Sequence, residues 1–113
     1  MYEPKVDICN SLKTIEGVEV YQKKPKKFLT DKLPAVTFFV LRNETNLNLD
    51  NEIATQDLAI QIDVWADRST EATNTLKQIE AVMRENFYTL RFSQDFDDPS
   101  GLNRITTRFE KIR

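Results

Sequence analysis

IATQDLAIQIDVWADRSTEATNTLKQIEAVMRENF, residues 53–87, changes its hydrophobic period halfway along. In its first half Leu58, Ile60, Ile62 and Val64 share one face, and Asp57, Ala59, Gln61, Asp63 and Trp65 share the other. Strict alternation of this kind predicts a half-buried strand. In the second half Ala72, Leu76, Ile79 and Met83 recur at spacings of three and four, with Val82 beside them. That stripe predicts a helix with one apolar face. Asp67, Ser69 and Thr70 stand where side-chain oxygens can take up the free N–H groups of its first turn, and Glu71 suits the positive end of its dipole. Each element is apolar on one side only, so the two pack together, and the remaining chain extends that two-layer unit.

Working outward, Pro4 suits a first helical turn, and Ile8, Leu12 and Ile15 follow at helical spacing, which predicts a helix over 4–15 ending before Gly17. Residues 18–21 form a short strand candidate. Gln22-Lys23-Lys24-Pro25-Lys26-Lys27 is a basic loop. It reads either as a solvated hairpin loop or as a contact for a nucleic-acid backbone, with the solvated loop favoured. Residues 34–42 form a strand apolar on both faces: Val36, Phe38 and Val40 on one, Ala35, Phe39 and Leu41 on the other. Such a strand needs cover on both sides. Two helices cover one face of a small sheet, so Phe39, Leu41 and Trp65 either pack on one another or are covered by a loop or a neighbouring subunit. On the neighbour reading, Trp65→Ala leaves the monomer folded and blocks assembly.

Residues 43–52 are polar and Asn-rich and predict a loop, in which Leu47 and Leu49 are either tucked onto the domain or offered to a partner. After the long helix, Tyr88, Leu90 and Phe92 alternate with polar residues as a fourth strand. Within residues 95–101, Asp98-Pro99-Ser100-Gly101 is turn chemistry, which outweighs the three acidic groups of this stretch as a cation site. Residues 102–112 close the chain as a strand with Ile105 and Phe109 on one face and Arg104, Thr106, Arg108 and Glu110 on the other. The expected fold is an α+β two-layer sandwich. Its mostly antiparallel sheet carries two helices on one face, in the order α-β-β-β-α-β-β, as one domain over 1–113.

Composition narrows the function classes. The chain of 113 residues has 16 basic and 18 acidic side chains, so it is no polycation built for nucleic acid. Its charge is uneven: residues 1–42 hold 8 basic and 5 acidic groups, and residues 43–113 hold 8 and 13. One cysteine, Cys9, permits no internal disulfide, and with no histidine in the chain it has no base to make it a nucleophile. No apolar run spans a bilayer, no signal peptide is expected, and two glycines make no phosphate loop. No catalytic residue, metal ligand or cofactor site is expected. By elimination the protein binds or assembles.

Asp63-Val64-Trp65-Ala66-Asp67-Arg68-Ser69-Thr70-Glu71-Ala72 with the helix that follows resembles the small tail-completion proteins of long-tailed bacteriophages and prophages. So do Asp97-Asp98-Pro99-Ser100-Gly101-Leu102-Asn103-Arg104 before an alternating strand, and Tyr21 and Pro25 before the strand at Pro34. Asn103 stands where the family pattern more usually has Tyr, a departure within a strand. The resemblance spans residues 18–112 and rests on structural motifs. It implies a structural virion protein at the head-proximal end of the tail, made in the host cytoplasm. Such proteins cap the tail tube, stop its polymerisation and join it to the head connector. They are similar to tail terminators, which form six-fold rings around the channel that DNA crosses. The implied partners are the tail-tube protein, the connector and further copies of the chain, with DNA only passing through. The implied interface residues are Phe39, Leu41, Leu47, Leu49 and Trp65, with Lys23, Lys24, Lys26 and Lys27 as candidates for the lumen. A protein-binding adaptor, or a DNA-binding module using the lysine loop 23–27, is the alternative.

Overall fold

The computed structural model describes residues 4–15, 17–21, 33–47, 49–51, 53–97 and 101–112. The elements follow in the order α1 (Pro4–Leu12), β1 (Glu19–Tyr21), β2 (Ala35–Leu47), β3 (Ile53–Ala66), α2 (Ser69–Glu85), β4 (Thr89–Asp97) and β5 (Asn103–Ile112). The five strands make one sheet in the order β1-β2-β3-β5-β4. This is the expected α+β arrangement in the expected element order. β1 runs parallel to β2, and the other neighbours are antiparallel. The connection between β1 and β2 is therefore a crossover rather than the hairpin that the basic loop suggested.

The alternation in β3 carries through to packing. Leu58, Ile60, Ile62 and Val64 lie under the helices with Val36, Phe38, Ile105 and Phe109 from the flanking strands. From α2 the buried residues are Ala72, Thr75, Ile79 and Met83, and from α1 they include Ile8 and Leu12. Each such aliphatic side chain contributes about 1.5–3 kcal/mol by leaving water. Thr107, fully buried in this layer, donates from its hydroxyl to the Ile62 carbonyl at 2.7 Å, so its polar group is not stranded. Asn86 Nδ2 reaches Ser11 Oγ at 3.4 Å, which ties the two helices together at the end of α2.

The helix ends depart from expectation in instructive ways. The N-cap of α2 is Arg68, in extended conformation, and no side chain caps it. Ser69 and Thr70 already lie within the helix, where Thr73 Oγ1 donates back to the Ser69 carbonyl. α1 stops at Leu12, and the chain tightens into i→i−3 turns, Thr14 to Ser11 and Ile15 to Leu12, which still bury Ile15. The C-terminus of α2 is a Schellman motif. The Phe87 N–H donates to the Arg84 carbonyl and the Tyr88 N–H to the Met83 carbonyl, both at 3.0 Å. The left-handed position of this motif belongs by preference to glycine, yet here it is Phe87, at φ 67°.

Besides a register shift between Asn46 and Leu47, two irregularities redirect side chains. β2 has a register shift between Val40 and Arg42, and β4 has one between Leu90 and Phe92. Each leaves one residue, Leu41 or Arg91, without a partner across the ladder. In β4 the shift sets Leu90 opposite Phe109, on the helix side, and Phe92 opposite Arg108, on the other side. The single face expected for Tyr88, Leu90 and Phe92 is thus divided.

Candidate assembly surface

Both helices cover one face of the sheet, so the other is the candidate surface. The registers arrange it in rows across β2, β3, β5 and β4. One row is Ala35, Trp65, Arg104 and Phe96; the next is Thr37, Asp63, Thr106 and Gln94. Then come Phe39, Gln61, Arg108 and Phe92, followed by Arg42, Ala59, Glu110 and Thr89.

The first two rows are closed within the chain over β2 and β3, while Gln94 and Phe96 at their β4 end stay exposed. Trp65 is 1% exposed. Its indole N–H donates to Thr37 Oγ1 at 3.0 Å, and the Arg104 guanidinium lies over its ring at 4.8 Å from the centroid. Arg104 is held in turn by the buried Asp63 carboxylate at 2.8 Å, and its far side meets the Phe96 ring at 5.6 Å. A guanidinium between two rings and a carboxylate is cation–π contact and ion pair at once. Gln61 Nε2 donates to the same carboxylate at 3.3 Å. Trp65 is therefore an internal packing residue, and the chain itself supplies its cover.

The other two rows are open. Phe39 is 45% and Phe92 44% exposed, with Leu41 beside Phe39 exposed to the same degree. Next to them, Glu110 is shared by three arginines: Arg42 at 3.6 Å, Arg91 at 3.4 Å and Arg108 at 3.6 Å. Arg42 and Glu110 meet across Ala59, a residue small enough to lie beneath them and buried as a result. One carboxylate among three guanidinium groups leaves positive charge in excess.

Leu47 and Leu49 sit elsewhere. β5 pairs with β3 only from Asp57 onward, so residues 45–47 and 53–56 pair with each other alone. They form a two-stranded arm running past the sheet, in a molecule 52 Å along its longest axis. Leu47 lies near the tip at 57% exposure, and Leu49 is fully exposed. The loop expected over 43–52 is thus half strand. Its polarity hid the strand, because among its described side chains Gln56 alone is buried. Side chains hold the arm instead: Gln56 Nε2 donates to Asn43 Oδ1 at 2.6 Å, and Asn46 Nδ2 to Thr55 Oγ1 at 2.9 Å.

The structure thus brings Phe39 and Leu41 together on the open face, puts Leu47 and Leu49 on the arm and encloses Trp65. Lys23, Lys24, Lys26 and Lys27 lie outside the described residues. Phe92 and Phe96, which the sequence reading did not single out, join Phe39 and Trp65 on one face. The arginine cluster was missed as well, because its members are scattered over three strands.

Among the described residues no group of three His, Cys, Asp or Glu side chains converges as a metal site. A pocket between the start of α2 and Asp95, Phe96 and Arg104 holds ≈ 160 Å³, and one beside Arg42, Arg91 and Glu110 holds ≈ 260 Å³. Both fall below the roughly 300 Å³ at which small-molecule sites begin. No helix among the described residues is long and apolar enough to cross a membrane. No curated protein matches the chain. The family model described as Tail completion protein gp17 matches residues 11–112. That match takes in the last two residues of α1, the whole of α2 and all five strands, and the chain belongs to the tail completion protein gp17 family, structural proteins of the bacteriophage tail.

Proposed function

We propose that this protein caps the finished tail tube, stops its polymerisation and forms the joint to the head connector. In that role it acts as a six-fold ring around the channel through which DNA leaves the head. The family membership carries the reading. The molecule supports it through the two things a ring-forming subunit needs: a rigid two-layer body and chemically distinct surfaces left open by it. The open face offers Phe39, Leu41 and Phe92 beside surplus positive charge, and the arm offers Leu47 and Leu49. Exposed apolar groups gathered in this way mark contact surfaces rather than ordinary solvent-facing sheet. The role is structural rather than catalytic.

Deleting the gene from the phage or prophage that carries it, then imaging the lysate by electron microscopy, tests the proposal. DNA-filled heads without tails beside free tubes of abnormal length are expected. Normal infectious particles overturn it.

A further inference from the structure

We propose that the arm of one copy docks on the open sheet face of the next. Leu47 and Leu49 then cover Phe39, Leu41 and Phe92, and the arm's carboxylates lie against the cluster of Arg42, Arg91 and Arg108. The inference rests on the ring reading and names the surfaces that would build it.

Charge argues for this occupant. Residues 43–56 contain Glu44, Asp50 and Glu52 and no lysine or arginine. The face they would meet has three arginines sharing Glu110, with Asp57 only at its rim. Apolar groups match as well, since each surface exposes side chains that its own chain leaves uncovered. Geometry rules out the contact within one chain. Leu49 lies beyond Ile53, and Phe92 lies level with Gln61, eight residues further along β3. At about 3.3 Å per residue the two are roughly 26 Å apart in the same molecule. The arm therefore reaches such a face only on another copy. Arm and face are different surfaces, so the contact is head-to-tail, and repeating it closes a ring when the rotation between copies permits. Opposite charges at the two surfaces fix the direction in which copies add.

Cysteine trapping reads this contact directly. In a Cys9→Ala background, chains carrying Leu49→Cys and chains carrying Phe92→Cys are mixed at high concentration and oxidised. A disulfide forms only where Cα atoms come within about 7 Å. The expected result is a mixed dimer, and none when Val6→Cys, exposed on α1, replaces Phe92→Cys. Equal yields with Val6→Cys, or no mixed dimer, overturn the proposal. A charge exchange provides the second readout. Asp50→Lys alone and Arg108→Glu alone each lower the trapping yield, and an equal mixture of the two recovers it. Circular dichroism first establishes that each variant is folded. If gene deletion leaves particles normal while the cysteines still trap, the contact stands and the tail-joint reading falls. If deletion gives tailless heads and trapping fails, the reverse holds.

Discussion

Replacing Trp65 by alanine tests whether this side chain belongs to the fold or to a partner. Trp65 is 1% exposed, donates to Thr37 Oγ1 and carries the Arg104 guanidinium on its ring. Truncating a buried Trp to Ala costs about 3–5 kcal/mol through lost burial and the cavity left behind. Loss of the cation–π contact adds about 1 kcal/mol. The total of about 5 kcal/mol is comparable to the roughly 5–15 kcal/mol that holds a domain of this kind together. With a urea slope of about 1.5 kcal/mol per molar, a 5 kcal/mol loss lowers the unfolding midpoint by about 3 M. Urea titration followed by far-ultraviolet circular dichroism, wild type against variant, measures it. Trp65→Phe should fall between them, keeping most of the apolar contact and losing the N–H. A Trp65→Ala loss below about 1 kcal/mol would refute the packing role, since surface substitutions stay within that range. The side chain would then be available to a neighbouring subunit, as the sequence alone had allowed.

Three further outcomes follow from the same contacts. Phe87→Gly should raise stability by about 1 kcal/mol, because glycine occupies the left-handed cap position without the steric cost that Phe87 bears at φ 67°; a fall in melting temperature would show that the exposed ring contributes more than the strain removes. Arg104→Ala should cost about 3–5 kcal/mol, since it leaves the Asp63 carboxylate buried without its cation, and clearly less in an Asp63→Asn background; additive losses in this double-mutant cycle would mean that the two residues are not coupled. Asn46→Ala should leave the global melt within about 0.5 kcal/mol yet speed amide hydrogen exchange of residues 45–47 and 53–56; unchanged exchange there would show that the arm does not depend on its side-chain ties.

What the sequence disclosed and what it hid divide along physical lines. β3 and α2 were legible because each buries one face, and burial writes a period of two or of 3.6 into the residue order. β5 was legible for the same reason, with Ile105 and Phe109 under the helices and the arginines opposite. The outer half of β2 was not, because its residues 44–47 are exposed, so Asn and Thr do as well there as alternating leucines. β4 misled through its irregularity: an extra residue at Arg91 turned Phe92 to the open face, and no period survives such an insertion. The Schellman end of α2 was invisible because its customary glycine is Phe87. The enclosure of Trp65 depends on Arg104, 39 residues away along the chain and adjacent only through the β3–β5 register. Neither sequence nor structure places Lys23, Lys24, Lys26 and Lys27 on any surface, since they fall outside the described residues.

The arm has a cost that bears on its use. A two-stranded ribbon without a core is marginal in water, and three pairings beyond the sheet contribute little to the stability of the body. Shortening the β2–β3 hairpin to end at Arg42 and Asp57 would leave every core residue from Val36 to Phe109 in place. The chain nevertheless extends the ribbon, ties it with Asn43–Gln56 and Asn46–Thr55 hydrogen bonds and sets Leu47 and Leu49 at its end. Those ties hold the ribbon in shape before any contact. Binding through it then loses less conformational freedom than binding through a loop of the same length, and that difference appears as affinity. The open face is prepared in the same sense. Glu110 holds Arg42, Arg91 and Arg108 around one point, so an incoming carboxylate meets cations already gathered rather than three long side chains to be ordered one by one. Both surfaces are ordered where the fold does not require it, and the proposed contact between copies would account for that order.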